Sequence, residues 1–218
     1  MRPTMKRKAT CPAGADCQTT QLCIATAAWW EIHVPSKTSI QQLCVALAQQ
    51  GVHACAITGL PSACVEEWLQ GCFGYKFYGH IRGDVNTAGF LVAVSFAHLV
   101  KEVHMDALSA LLEAMPSSDM KKEVHALTRC QCIIFAGIPL VAVYGPNPGT
   151  WREQAHKRFL VYALNHLESM QGRCNRHGYL LGDLNLRGVA PGKGAAPCIG
   201  TIGAKLAKWF SSELRARG

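Results

Sequence analysis

The sequence predicts a sheet-based α/β or α+β sandwich. Short apolar runs alternate with stretches of helical spacing, and two of the apolar runs face each other across a tight turn. The 218 residues are enough for one domain with a hydrophobic core. Nearly half of the residues are hydrophobic and only 17% are charged, which is typical of a globular rather than a disordered chain.

Apolar runs and helical periodicity define the elements of the first half. A buried strand is predicted in residues 21–30, and a helix that begins at Ser36 or Thr38 ends near Gly51. Apolar residues recur in that helix at positions i, i+3, i+4 and i+7, so one face should pack on a core. Residues 52–57 and 89–96 are predicted strands, 76–80 an edge strand, and 62–71 and 106–115 helices.

The second half begins with a predicted hairpin. Residues 129–135 and 139–144 should form antiparallel strands that turn at Ala136 and Gly137. A long helix over 151–171, a strand over 178–184, a Gly/Pro-rich loop over 188–197 and a basic amphipathic helix that contains Trp209 and Phe210 follow. We expect residues 1–20 to form a flexible basic tail and residues 21–218 to form a single domain.

Charge indicates the class of partner. The chain carries 22 Lys and Arg against 14 Asp and Glu, a net charge of +8, which favours a polyanion and predicts nucleic acid as a partner. No apolar run approaches the roughly 18 residues of a membrane span, so no membrane association is expected.

Cysteine usage and the N-terminus indicate the compartment. The 11 cysteines contain no CxxC pair, which favours buried free thiols in a reducing compartment over zinc ligands or disulfides. The first residues are basic and lack the apolar segment of a secretory signal. The predicted location is therefore intracellular, nuclear or cytoplasmic, and not secreted.

Polar residues at the ends of two predicted strands suggest a site. One strand runs directly into Gly182-Asp183-Leu184-Asn185, which places Asp183 and Asn185 on one side of a sheet edge. A carboxylate and an amide there can bind a Mg²⁺-associated phosphate and position a water molecule. Another strand ends in Tyr144-Gly145-Pro146-Asn147, where the tyrosine hydroxyl can contact a phosphate oxygen.

These motifs resemble those of the endonuclease/exonuclease/phosphatase superfamily, in particular the endonuclease domains of LINE-type (non-LTR) retrotransposons. The order of elements is similar from about Leu22 to Asn185, including a tight turn at Asn86 before a Gly-Phe-Leu strand. The resemblance implies a four-layer α/β sandwich flanked by helices. It also implies Mg²⁺ as the cofactor, Asp183, Asn185 and Tyr144 as catalytic residues, and Asn147 and Asn86 as substrate-binding residues.

The sequence departs from the family pattern at several positions. The first-strand Asn should fall near Ala27 or Ala28, and the metal-binding Glu at Thr58 or Gly59. The 33 residues after Asn185 contain neither His nor Asp, so the general-base His is also not found and the last strands of the sandwich are expected to be missing.

Three hypotheses stay open. The chain is a degenerate retroelement-derived endonuclease with weak or no Mg²⁺-dependent hydrolysis, or an active phosphodiesterase whose metal carboxylate is supplied by Glu31, by Glu66 or by a partner chain. The third hypothesis is a non-catalytic module that binds nucleic acid or protein. Glu31 follows the first strand directly and is the substitute metal ligand to test first. A protein partner, or a longer parent polyprotein, is compatible with all three.

Overall fold

A computed structural model describes residues 7–8, 21–28, 37–60, 72–79, 87–102, 129–145, 153–186 and 202–217. The strands are β1 (Arg7–Lys8), β2 (Cys23–Ala28), β3 (Ala54–Leu60), β4 (Tyr75–Tyr78), β5 (Thr87–Ala93), β6 (Val100–Glu102), β7 (Cys130–Phe135), β8 (Ile138–Tyr144) and β9 (Tyr179–Asp183). The helices are α1 (Lys37–Gln49), α2 (Glu153–Cys174) and α3 (Ile202–Ala216), with 3₁₀ helices at Cys72–Gly74 and Val94–Leu99.

The strands form two sheets. The first sheet has the order β1-β2-β3-β5-β4, and the second has the order β6-β7-β8-β9. Two neighbouring pairs, β2 with β3 and β8 with β9, are parallel, and the other pairs are antiparallel. Each parallel pair is joined through a helix, α1 or α2, as a crossover connection requires.

Three apolar clusters separate four layers. One lies between α1 and the outer face of the first sheet, and it includes Leu43, Leu47 and Ile57. The second lies between the two sheets and is formed mainly by large side chains such as Phe90 and Phe135. The third joins the second sheet to α2 and α3. The arrangement of helix, sheet, sheet and helix is the predicted four-layer sandwich.

Alternation along the strands explains these layers. Cys130 and Cys132 face α2, whereas Ile133 and Phe135 face the first sheet, because successive side chains point to opposite faces. All seven residues of β8 are buried, as expected for a strand covered on both faces. Within the described part of the chain, no helix is both long and apolar enough to cross a membrane.

Several predicted elements are confirmed with small shifts of their bounds. The helix from Ser36 or Thr38 is α1, the edge strand over 76–80 is β4, and the hairpin turns at Ala136 and Gly137 as predicted. The predicted helices over 62–71 and 106–115 and the loop over 188–197 lie outside the described residues.

Other elements differ from the prediction. The strand over 89–96 ends at Ala93 because its neighbours β3 and β4 offer no partner beyond Val92 and Ala93, and the chain continues as a 3₁₀ helix. The three-residue β6 is too short to leave a pattern in the sequence. The two-residue β1, which pairs with β2, lies within the stretch predicted as a tail.

The ends of β2 and β3 opposite the candidate site are tied together by His53. Its Nδ1 accepts a hydrogen bond from the backbone N–H of Cys23 at 3.0 Å, and its ring contacts Phe96 with centroids 4.3 Å apart. Burial lowers the pKa of His53, so the neutral ring that accepts this bond is favoured. We therefore interpret His53 as a structural residue.

Candidate functional site

Strands β8 and β9 end side by side. They are parallel and in register, with Tyr144 opposite Asp183, and the backbone N–H of Gly145 donates to the carbonyl of Asp183 at 2.7 Å. The carboxyl ends of neighbouring parallel strands are a frequent location of ligand sites in α/β proteins. The structure thus brings together the two sequence motifs that end in these strands.

The turn after β9 fixes the orientation of Asn185. The carboxylate Oδ1 of Asp183 accepts a hydrogen bond from the backbone N–H of Asn185 at 2.9 Å, and Asn185 adopts a φ of 49°. Its Nδ2 donates to the carbonyl of Gly145. Since a carbonyl can only accept, the amide nitrogen must face Gly145, and the amide Oδ1 is the atom left to accept from, or coordinate, a ligand.

The glycine of the Gly-Asp-Leu-Asn motif permits a close approach between strands. Gly182 has a φ of +119°, and a Cβ there would lie 2.2 Å from the Val143 carbonyl oxygen and 3.0 Å from Cγ2 of Thr58. Residues other than glycine rarely adopt such a backbone conformation. Gly182 is therefore required by the local packing of β8, β9 and the facing β3.

Strand β3 presents a threonine to this edge. Thr58 is 1% exposed, and its hydroxyl has no hydrogen-bond partner among the described residues. Thr58 lies opposite Ala28 of β2 and next to Gly182. Thr58 is one of the two positions, with Gly59, at which the resemblance implies a Glu, and Ala28 is one of the two, with Ala27, at which it implies an Asn. None of these four positions holds a carboxylate or an amide side chain.

Arg129 is a site residue that the motifs did not predict. Its Nη1 donates to the carbonyls of Tyr144 at 3.4 Å and Gly145 at 3.3 Å, and its guanidinium lies 4.7 Å from the centre of the Tyr144 ring. Burial lowers the pKa of this guanidinium, and Tyr144 offsets part of that effect. The register of the predicted hairpin was the available signal, because Cys130 pairs with Val143 and Arg129 therefore lies opposite Tyr144.

His156 contacts the same turn from the helix side. It is the fourth residue of α2 and is 2% exposed, and its Nε2 lies 3.3 Å from the carbonyl oxygen of Leu184. Burial lowers the pKa of His156; the bond to Leu184 opposes this shift, and the nearby charge of Arg129 adds to it. A neutral ring that donates from Nε2 fits this environment. No sequence pattern pointed to this residue.

The remaining predicted site residues cannot be placed. Asn147, Asn86, Glu31 and Glu66 lie outside the described residues. Within the described ranges, no group of three or more His, Cys, Asp or Glu side chains is arranged to hold a metal ion.

Comparisons with known proteins concern the fold. No family model and no curated protein matches the sequence. Among solved structures, D. rerio TDP2 (tyrosyl-DNA phosphodiesterase 2) complexed with single strand DNA product is similar with a TM-score of 0.51 at 16% identity, over 78% of this chain and 62% of that chain. The fold is an α/β sandwich like that of the endonuclease/exonuclease/phosphatase superfamily. The predicted fold class is thereby confirmed.

Two further TDP2 structures are more distant. A D. rerio TDP2 humanized by 14 mutations matches with a TM-score of 0.47 at 15% identity, over 77% of this chain and 63% of that chain. TDP2 from C. elegans matches with a TM-score of 0.41 at 12% identity, over 69% and 43% of the two chains. This chain thus spans less than two thirds of the length of each of these structures.

Proposed function

We propose that this chain is a nucleic-acid-binding domain on the endonuclease/exonuclease/phosphatase fold, with weak or no phosphodiester hydrolysis. One observation carries the proposal. Tyr144, Asp183 and Asn185 are grouped at the ends of β8 and β9, while the strand that faces them contributes Thr58 in place of a carboxylate. The group can contact a phosphodiester, but its metal-binding capacity is low.

The described donors make a poor magnesium site. Asp183 and Asn185 offer one carboxylate and one amide oxygen, which are the kind of ligand that Mg²⁺ binds together with water. A bound Mg²⁺ would place positive charge on a phosphate at this edge. With a single carboxylate from the described residues, we expect weak metal affinity, and hydrolysis that depends on Mg²⁺ should be correspondingly slow.

Nucleic acid is the proposed partner. The net charge of +8 favours a phosphate backbone, and one structurally similar protein, D. rerio TDP2, is described in complex with single strand DNA product. Cys23, Cys55, Cys130, Cys132 and Cys174 are free thiols, which agrees with a reducing compartment inside the cell. We propose a nuclear or cytoplasmic location on this basis.

We also propose a retroelement origin for the domain, formed by residues 21–218 beside a basic tail. The order of the motifs from Leu22 to Asn185 supports this proposal. A longer parent polyprotein and a protein partner are both compatible with this origin.

The alternative function is a non-catalytic module that binds nucleic acid or protein on the same scaffold. It is favoured by the buried Thr58 at the position of the implied carboxylate.

Nicking of supercoiled plasmid tests hydrolysis. Purified protein is incubated with Mg²⁺ or Mn²⁺, beside an EDTA control and the variants Asp183→Asn and Asp183→Ala. Asp183→Asn is the sharper variant because its Oδ1 can still accept the Asn185 N–H while the charge is lost. We expect nicking to be slow or undetectable in a protein that is folded by circular dichroism.

Rapid nicking that requires metal and is lost in Asp183→Asn would overturn the proposal of weak hydrolysis. Glu31→Gln and Glu66→Gln would then identify the substitute carboxylate. Binding is measured separately, by fluorescence anisotropy of a labelled single-stranded oligodeoxynucleotide over a salt series in EDTA. Affinity that falls steeply with salt supports the nucleic-acid partner, and no binding at low salt would exclude it.

A further inference from the structure

The ladder of hydrogen bonds between strands stops at the ends of β8 and β9. Backbone carbonyls there have no neighbouring strand from which to accept a hydrogen bond. Such carbonyls are polar groups that need a donor when they are shielded from water. Side chains supply it here: Arg129 donates to Tyr144 and Gly145, Asn185 also donates to Gly145, and His156 lies at hydrogen-bond distance from Leu184. These bonds surround the candidate site.

We propose that Arg129 and His156 are positioning residues of the candidate site, which hold the ends of β8 and β9 in the arrangement that groups Tyr144, Asp183 and Asn185. Arg129 acts from the side of β7 and His156 from α2. Neither residue belongs to the sequence motifs. The inference rests on the proposed function for its binding readout, and it has a second readout that does not.

The contacts of Arg129 link both strand ends. Its Nη1 and the Nδ2 of Asn185 donate to the same acceptor, the carbonyl of Gly145, so that the guanidinium and the site amide share one anchor. The same guanidinium lies over the Tyr144 ring. A lysine would keep the charge and could still donate from its ammonium group, but it has no planar guanidinium to lie over the Tyr144 ring.

The burial of Arg129 also points to a role beyond stability. Its Nε is buried and has no hydrogen-bond partner among the described residues. A partly buried charged group with an unmet buried donor is unfavourable, and an apolar side chain of similar volume is often as stable or more so. An arginine at this position is therefore better explained by the arrangement that it imposes on Tyr144 and Gly145.

His156 contacts Leu184, the residue between the two polar site residues Asp183 and Asn185. The Leu184 carbonyl lies between Asp183 and Asn185 in the chain, so a donor at this carbonyl limits rotation of the whole turn. Glutamine can also donate from a terminal nitrogen, whereas leucine fills a similar volume and cannot donate. This difference separates positioning from simple filling of space.

The experiment uses the full chain and a fluorescein-labelled single-stranded oligodeoxynucleotide in EDTA. We compare His156→Gln, His156→Leu and Arg129→Lys with the wild-type protein. Arg173→Gln, at an exposed residue in the last turn of α2, serves as the charge control. Circular dichroism at rising temperature verifies that each variant is folded at the assay temperature.

We expect His156→Leu and Arg129→Lys to weaken binding about tenfold, the loss of one hydrogen bond of about 1.4 kcal/mol. His156→Gln and Arg173→Gln should stay within about threefold of the wild type, because the first keeps the donor and the second lies elsewhere. Wild-type affinity in His156→Leu or in Arg129→Lys would overturn the proposal.

Hydrogen exchange of two amides gives the second readout. The N–H groups of Gly145 and Asn185 are both bonded to Asp183, so their exchange rates report on the arrangement of the site without any ligand. Exchange should be about tenfold faster in His156→Leu and Arg129→Lys and unchanged in His156→Gln. If the wild type does not bind DNA, the proposed function fails while this measurement still decides the positioning role. Equal exchange in His156→Leu and His156→Gln would refute it.

Discussion

Replacing Gly182 by alanine tests how the Gly-Asp-Leu-Asn segment is held in the fold. In the structure this glycine has a φ of +119°, and a Cβ would lie 2.2 Å from the carbonyl oxygen of Val143 and 3.0 Å from the Thr58 methyl group. The first contact involves backbone, which cannot move aside as a flexible side chain can. The substitution must therefore shift β9 relative to β8 and β3.

Two effects set the magnitude. Holding a residue other than glycine in this region of backbone conformation costs about 1–3 kcal/mol. Forcing a methyl group into a packed interior costs about another 1–3 kcal/mol. Since a domain of this kind has a free energy of unfolding of about 5–15 kcal/mol, a loss of about 4 kcal/mol is a large fraction of its stability.

The assay is urea unfolding followed by circular dichroism. With a slope of about 2 kcal/mol per molar urea, Gly182→Ala should lower the midpoint by about 2 M. Gly172→Ala is the matched control, because Gly172 lies in α2 and a Cβ added there would have nothing within 4 Å. The control should raise the midpoint by about 0.5 M, since alanine favours a helix over glycine by about 1 kcal/mol. A Gly182→Ala midpoint equal to that of the wild type would refute the reasoning.

Two more predictions concern titration and thiol reactivity. Burial lowers the pKa of His53, His156 and His166 below the ordinary value of 6.5, so the unfolded chain binds more protons just below that pH. The urea midpoint should therefore fall as the pH drops from about 6.5 towards the folded-state pKa values, and His156→Gln should reduce that slope; a midpoint that rises on acidification would contradict this. Cys55 and Cys130 are at most 1% exposed; burial raises the pKa of Cys55 to about 12, and a hydrogen bond to Cys132 together with burial raises that of Cys130. Iodoacetamide should modify these two thiols only in urea, as peptide mass spectrometry can verify, and labelling of either one in the native protein would contradict their burial.

The fold could be predicted from the sequence because its core elements have strong periodicity. The long α2 helix has apolar residues at helical spacing, and the β7–β8 hairpin has two apolar runs joined by a short turn. Both appear where expected. By contrast, β6 and the 3₁₀ helix at Val94–Leu99 depend on which strands lie next to them. The local sequence does not specify these neighbouring strands, since apolar runs alone do not distinguish a strand from a tight helix.

The candidate site could be predicted only in part. Tyr144 and Asp183 were expected at strand ends, and the parallel register of β8 and β9 places them side by side. Arg129 could have been found by extending the hairpin register by one residue beyond Cys130. The contact of His156 with Leu184 joins residues 28 positions apart through the docking of α2, which no local pattern encodes.

Packing accounts for much of the Gly-Asp-Leu-Asn motif without any chemistry. Gly182 is required by the approach of Val143, and the Asn185 amide nitrogen satisfies the Gly145 carbonyl in a turn that Oδ1 of Asp183 stabilises. These roles would be the same in an enzyme and in a binding module, so the motif shows the fold more strongly than it shows catalysis. What remains for chemistry is the second carboxylate oxygen of Asp183 and the Oδ1 of Asn185, since Tyr144 is buried and interacts with Arg129. Asp183→Asn removes the charge from this group while it keeps the acceptor that the turn needs. In the presence of Mg²⁺, a folded Asp183→Asn protein with unchanged DNA affinity would therefore indicate that a metal ion held by this carboxylate does not contribute to DNA binding.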